Sequence, residues 1–357
     1  MTAPGHVDVM LGVAGLPGAE VVRLARRADA KRFRAVWIPE ITFGDAMITD
    51  AVIAANTTRI AVGTGVVGIF SRSPVVMAMQ IYSLNEFFPG RAMLGIGTQA
   101  PGYVTNWHGV PYERVLTRMR DYIHILRRIL SGERVTFEGE TLRVRNFRLM
   151  KPPLADPPRI YIGAIAPRMI QLAGEIADGV FGNFYTPQYI RETVIPNLEL
   201  GARRAHRSLD GFDIGSSYQT VVSTEHDAVA QMKPIVMMYV AGAATTEAYC
   251  DMARRAGFGK ELDTIAAAIQ RSDMATAVAT VTPEMCRAFT ICGTADEARA
   301  AIAERYRAGL TAVMLNLFPP GIYWRLNESH FPPDVADQTI DMCDYARACE
   351  ITIDALG

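Results

Sequence analysis

Between Val7 and Phe318 the chain alternates eight times between a short, apolar, β-rich run and a helix-like segment. The runs are Val7–Val13, Ala35–Ile41, Arg59–Val67, Arg91–Thr98, Arg159–Gly163, Gly179–Tyr185, Phe212–Val222 and Thr311–Phe318. Parallel strands buried on both faces read as near-continuous apolar runs, and each needs a crossover helix to reach the next. Eight such units predict an α/β fold, a (β/α)8 TIM barrel, as a single domain over 1–357. The length of 357 residues, half of them hydrophobic, is ample for that core.

The helical segments carry the matching period. In Gly18–Lys31 the apolar positions Val21, Val22, Leu24 and Ala25 oppose an Arg-rich side. In Val115–Leu130, the fourth helix, Val115, Met119, Tyr122, Ile123, Leu126 and Leu130 form one stripe, with Arg120, Asp121 and Arg127 elsewhere. Two stretches break the rhythm. Val135–Val144 alternates around Gly139, which predicts a surface hairpin inserted after the fourth helix. From His226 to about Arg287 the chain is helix-rich and strand-free, a helical insertion between strands seven and eight. An insertion at that end of a barrel either walls the active site or serves packing or dimer contacts.

Charge narrows the function. Lys and Arg total 36 against 37 Asp and Glu, so no basic field exists to hold nucleic acid or an anionic membrane, and a small-molecule partner is expected. No apolar run reaches the roughly 18 residues needed to span a bilayer, and the N-terminus lacks a basic segment followed by an apolar one. The five cysteines, Cys250, Cys286, Cys292, Cys343 and Cys349, include no CxxC pair and read as reduced thiols of a cytoplasmic protein. His6, His206, His226 and His330 show no metal-ligand spacing, and no metal is expected.

Candidate chemistry gathers at strand ends. Strands three and four, Arg59–Val67 and Arg91–Thr98, lose side-chain bulk at their C-terminal ends, where a flat ligand can approach backbone. After strand five, Gly163, Ala164, Ile165, Ala166, Pro167 and Arg168 read either as a phosphate cradle at a helix N-terminus or as an ordinary βα loop with Pro at the first helical position. Trp107-His108-Gly109, with Tyr103 and Tyr112, falls in the loop after strand four; His108 is by residue type a candidate catalytic acid or base, and a lone loop histidine is more often a hydrogen-bonded surface group. Glu40 ends strand two, as a proton donor or as a hydrogen-bond acceptor. Phe70, Tyr103, Trp107, Tyr185, Tyr323 and Trp324 are the aromatic candidates for a substrate pocket, and Met232, Met237 and Met238 either line it or fill core.

Several words in order carry a resemblance: Trp37-Ile-Pro-Glu40, Thr58-Arg-Ile-Ala-Val-Gly-Thr-Gly-Val66, Pro89-Gly-Arg-Ala-Met-Leu-Gly-Ile-Gly-Thr98, Pro167-Arg-Met169 with Ala173-Gly-Glu-Ile-Ala-Asp-Gly179, and Cys292-Gly-Thr-Ala-Asp-Glu297. Over Val7–Gly182 and Phe289–Phe318 the chain resembles the luciferase-like flavin and deazaflavin oxidoreductases. The resemblance implies a bacterial-luciferase-like barrel with a flavin-like ring against strand three and the cofactor phosphate near the strand-five loop. Pro167-Arg-Met169 and Ala173–Gly179 look more like the branch that uses coenzyme F420, an 8-hydroxy-5-deazaflavin, than the branch that uses FMN. By the same resemblance Gly65-Val66 marks a position where the family often has a cis peptide behind the ring, and Thr98 and Gln99 match cofactor contacts. The sugar-phosphate dehydrogenase branch is not matched, because Gln99-Ala100 replaces its carboxylate and Asn183-Phe-Tyr-Thr186 lacks its lysine. The expected activity is F420-dependent hydride transfer to or from a small, fairly apolar organic substrate. The alternatives are an FMNH2-dependent monooxygenase served by a separate reductase, and a non-catalytic flavin-binding member. A homodimer through helices near strands two and three is a further implication of the family.

Overall fold

The computed structural model describes residues 5–11, 16–42, 44–224, 227–241, 246–317 and 342–357, the last with side chains from 345. The first half of the chain runs β1 His6–Met10, α1 Gly18–Ala30, β2 Ala35–Ile38, α2 Ala46–Ala55, β3 Ala61–Thr64, β4 Val67–Gly68, α3 Pro74–Phe87, β5 Ala92–Gly97, α4 Pro101–Trp107 and α5 Val115–Leu130. After the hairpin β6 Val135–Glu138 and β7 Arg143–Phe147 come β8 Arg159–Gly163, α6 Pro167–Ile176, β9 Gly179–Asn183, α7 Pro187–Tyr189, a π-helical turn Ile190–Val194, α8 Ile195–Arg204 and β10 Asp213–Val222. Five helices follow, α9 Ala228–Val240, α10 Glu247–Arg255, α11 Gly259–Gln270, α12 Met274–Thr280 and α13 Pro283–Phe289. The chain closes with β11 Ile291–Gly293, α14 Ala295–Ala308, β12 Ala312–Asn316 and α15 Met342–Leu356. The parallel strands β1, β2, β3, β5, β8, β9, β10 and β12 alternate with helices in the order of a (β/α)8 TIM barrel.

The residues fall into two compact units, 34–181 with 196–214, and 1–33 with 182–195 and 215–357. In the first, parallel pairing runs β2-β3-β5-β8-β9, with Val36 opposite Val62, Val62 opposite Ala92, Leu94 opposite Ile160 and Ile162 opposite Val180. Its core centres on Trp37, fully buried and edge-on to Tyr161 at 5.1 Å and Phe181 at 5.2 Å between ring centroids. Gly63 is what admits that indole, since a Cβ there would lie 2.8 Å from the ring. The α5 stripe is buried as the 3.6-residue period requires at Met119, Tyr122, Ile123, Leu126 and Leu130, while Val115 at the helix start is half-buried. The hairpin β6–β7 follows α5 in antiparallel register.

In the second unit, β12 lies between β1 and β10, with Met314 opposite both Asp8 and Ser217, and β11 adds to the end of β10. Helix α14 starts on a capping box, Thr294 with Glu297, and stops at Gly309, whose φ of 119° suits glycine. Arg305 is 1 % exposed, donates to the carbonyl oxygens of Arg287, Ala288 and Thr290, and stacks over Tyr218 at 4.6 Å, so it ties the end of α13 to α14. Met232, Met237 and Met238 are buried, which is the core-filling reading.

Two expectations change. The third strand is not continuous to Val67, because it stops at Thr64 and resumes as β4. The stretch expected as a loop after the fourth strand opens as the short helix α4; Pro101 occupies its first turn, and Tyr103 and Trp107, one turn apart, stack on each other.

Candidate active site

Thr64 explains where β3 ends. Its hydroxyl donates to Gly95 O at 2.7 Å and accepts the Gly95 N–H at 3.0 Å, so the side chain takes over a ladder position on β5. The chain then steps outward through Gly65–Val66, joined by a cis peptide bond, before Val67 pairs with Ile96. This bulge sits over three glycines. A Cβ on Gly97 would lie 2.4 Å from Val66 Cγ2, one on Gly163 3.3 Å from Val66 Cγ1, and one on Gly95 2.1 Å from Thr64 O. The glycines at the ends of β5 and β8 thus make room for the bulge, which corrects the expectation that their missing bulk opens space for a ligand directly. What the unit presents is the bulge itself: Gly65, Val66, Thr98, Gln99 and Gly163 are all partly exposed.

Gln99 adds a polar demand. It adopts φ of 58°, and its side chain folds over Gly68, where a Cβ would meet Oε1 at 2.3 Å. That Oε1 is buried and accepts no hydrogen bond from a described residue. A buried acceptor without a donor is costly. On the other side of β8 the chain from Gly163 to Arg168 enters α6. Ala164 is buried and gives its N–H to Phe181 O at 3.1 Å. Ala166, at the N-cap, brings no side-chain oxygen to the first-turn N–H groups; it, Pro167 and Arg168 are exposed, while Ile165 is half-buried. Arg168 forms no ion pair with any described residue. An uncapped helix start beside a free guanidinium is suited to an anion.

Glu40 follows β2 and does not stand alone. Both of its oxygens accept from Arg72, Oε2 at 2.7 Å, and Oε2 also takes the Ala46 N–H at 3.1 Å at the start of α2. Arg72 reaches on to Asp45 at 2.6 Å, and the Arg72 and Glu40 side chains are only 13 % and 12 % exposed. Hydrogen bonding to Glu40 holds the Arg72 guanidinium above its ordinary pKa, against the opposing pull of burial, and Asp45 adds to it. For Asp45 burial pulls upward, but the Ile48 N–H and Arg72 outweigh it and hold the carboxyl below the usual range. Of the two roles expected for Glu40, the structure provides the acceptor: it is a partner of Arg72 and not an isolated proton donor.

The aromatic candidates separate. Tyr103 and Trp107 form an exposed stack on α4, with centroids 4.0 Å apart and planes 8° apart, and His108 caps the helix in the open. Phe70 is 8 % exposed, covered by Tyr112 at 5.4 Å and by the Arg118 guanidinium at 4.7 Å, so it is packing and not a pocket wall. Burial holds the pKa of Arg118 below its ordinary value, and among the described residues it donates to the carbonyls of Ile69 and Thr141. Tyr185 is also core: it is fully buried beside Tyr189 and fills the space that a Cβ on Gly182 would need. Tyr323 and Trp324 lie outside the described residues, as do His226 and His330.

In the second unit the insertion meets the C-terminal end of β9. Phe184, at φ of 59°, is held by Tyr239 of α9 at 4.6 Å and Tyr249 of α10 at 6.3 Å. Asn183 Nδ2 donates to the Tyr249 hydroxyl at 2.8 Å, and its Oδ1 accepts from Ser217 Oγ at 2.8 Å. Two further carboxamides, Gln219 on β10 and Asn316 on β12, stand opposite each other in register. Sequence reasoning missed Arg72, Gln219, Asn316 and Tyr249; the only local signal was polar residues inside otherwise apolar strands, at Gln219 and Asn316. Among the described residues no cluster of potential metal ligands occurs, and no helix is long and apolar enough to cross a membrane.

Comparison with known proteins follows the same lines. The family model for luciferase-like monooxygenases matches residues 1–312. A 5,10-methylenetetrahydromethanopterin reductase of Methanolobus tindarius is 32% identical over 308 residues, 84% of this chain and 90% of that protein. Another, of Archaeoglobus fulgidus, is 33% identical over 270 residues, 74% of this chain and 78% of that protein. The solved structure of the coenzyme F420 dependent tetrahydromethanopterin reductase from Methanopyrus kandleri matches with a TM-score of 0.79 at 24% identity, covering 99% of each chain.

Proposed function

Because this chain belongs to the luciferase-like monooxygenase family, we propose that it is a coenzyme F420-dependent oxidoreductase that exchanges hydride with a small organic substrate. A bound deazaflavin supplies a carbon-centred hydride donor or acceptor that reacts poorly with oxygen. The observation that carries the reading is the partly exposed Gly65–Val66 bulge, backed by Gly95, Gly97 and Gly163 and flanked by the orphaned Gln99 Oε1. These features fit a flat ring with an N–H edge. In this reading Val66 supports the ring, Thr98 and Gln99 take its polar edge, and the exposed start of α6 with Arg168 holds the phosphate. Glu40 fixes Arg72 beside α2, so the proton that accompanies hydride falls to His108, the exposed histidine at the end of α4. Tyr103 and Trp107 provide a flat surface for substrate. In this reading the enzyme acts in the cytoplasm as one domain.

The test is anaerobic turnover: enones and imines offered with reduced F420, and alcohols with the oxidised form, followed by the deazaflavin absorbance. Turnover without oxygen supports the reading. Substrate-dependent oxygen consumption with reduced FMN, supplied by a separate reductase, would replace it with the monooxygenase reading.

The active form is a homodimer. Ile48 and Val52 on α2, Val76 and Met79 on α3, and Ile41 before α2 are 39–67% exposed, a run of large apolar side chains on two helices that pack together. A second copy of the chain, through a self-complementary contact, is the occupant this face suits. Ile48→Glu with Met79→Glu is expected to convert the dimer to a folded monomer in analytical ultracentrifugation. A wild-type monomer, or a dimer unmoved by the double change, would refute the assignment.

A further inference from the structure

Gln219 and Asn316 pose a question that packing does not answer. Gln219 is 2 % and Asn316 9 % exposed, and the carbonyl oxygen of each accepts no hydrogen bond from a described residue. They lie opposite each other across the parallel β10–β12 pair, Asn316 being the last residue of β12. Successive strand residues point to opposite faces, so Gln219 shares its face with Ser217 and not with Tyr218. Tyr218 lies under Arg305 of the helix α14, whereas Ser217 hydrogen-bonds Asn183 at the end of β9. The carboxamide pair is therefore on the face away from α14, at the C-terminal ends of the strands, where barrel enzymes bind their ligands.

A carboxamide carries an acceptor and two donors, so two of them side by side can read a ligand edge on which N–H and C=O alternate. We infer that Gln219 and Asn316 are specificity-determining residues for a ligand with an N–H-bearing cyclic amide or ureide edge. The inference rests on the proposed reading of the strand ends as the ligand site, and it adds that the molecule bound there is not simply apolar. Such an edge belongs to the substrate, since the polar edge of the ring is assigned to Thr98 and Gln99.

The probe is quinazoline-2,4-dione, compared with its 1,3-dimethyl derivative, which keeps the ring and carbonyls but has no N–H. Affinities are measured by ligand-observed NMR and calorimetry on the full chain. Wild-type protein is expected to prefer the N–H compound by about tenfold or more, the size of a lost buried hydrogen bond. Gln219→Met and Asn316→Leu should erase the preference, while Gln219→Glu, which keeps acceptor oxygens, should retain it; thermal melts confirm folding of each variant. Addition of F420 is expected to leave the probe bound; displacement of the probe by F420 would overturn the assignment to the substrate. Equal affinity for both compounds, or a preference unchanged in folded Gln219→Met and Asn316→Leu, would overturn the inference. Failure of F420 to bind would remove the proposed function without altering the probe result, so the two failures are distinguishable.

Discussion

Replacing Gly97 by alanine is expected to weaken deazaflavin binding by about tenfold or more while the chain stays folded. The added methyl would lie 2.4 Å from Val66 Cγ2, well inside contact distance. Close-packed interiors absorb an extra methyl by shifting neighbours, at a cost of about 1–3 kcal/mol. Here the neighbour that must move is the stiff, β-branched side chain of the bulge on which the ring is proposed to rest. The loss should therefore appear in affinity as well as in stability. Gly102→Ala is the control, because the nearest atom to its Cβ is Asn106 Nδ2 at 3.9 Å, ordinary contact on α4. A fluorescence titration with both variants, beside a thermal melt, checks the point. Unchanged affinity in folded Gly97→Ala would mean that the Val66 surface does not carry the ring.

Arg72→Met is expected to destabilise the protein by about 3 kcal/mol, the low end of the cost of leaving a buried charge without its partner. The low end is appropriate because the Arg72 and Glu40 side chains keep 13 % and 12 % exposure. Glu40 would retain only the Ala46 N–H. Acid should expose the same defect. Asp45 is held below the ordinary carboxylate range in the native state, so its contribution is present above the unfolded-state pKa of about 4 and is lost as pH falls through the lower native value. Without Arg72 that native value rises, and the acid-unfolding midpoint should move to higher pH. Urea unfolding at neutral pH and acid titration by circular dichroism measure both effects. A variant as stable as wild type would show the pair to be incidental; Glu40→Gln, which keeps an acceptor for Arg72, should lose less than Arg72→Met.

The fold was legible because its signals are local and repeated. The α5 stripe is a 3.6-residue pattern that Met119, Tyr122, Ile123 and Leu126 bury as expected, and the apolar runs marked the parallel strands that the structure contains. The strand-free stretch after Val222 became the helices α9–α13 for the same reason. Helix α4 was missed because its seven residues hold no full amphipathic period and are ordered by a proline and one aromatic stack.

The site was legible only in part, because its logic is tertiary. Glu40 was singled out, but its partner Arg72 lies 32 positions away, in a stretch whose visible feature is the Ser73-Pro74 helix start. Gly95 and Gly97 were recognised as bulk removed from a strand, yet what uses that space is Thr64 and Val66 from the neighbouring strand. Phe70 and Tyr185 looked like pocket walls because aromatic residues at strand ends often are; the partners that cover them, Arg118 and Tyr189, are set by packing that no local pattern encodes. Gln219 and Asn316 become a pair only through the β10–β12 register.

The most direct test of the central claim is a parallel titration of the purified protein with F420 and FMN, each oxidised and reduced, by fluorescence and calorimetry. The proposal predicts micromolar or tighter binding of F420 with a clear preference over FMN. Preference for reduced FMN, or binding of neither cofactor, would contradict it.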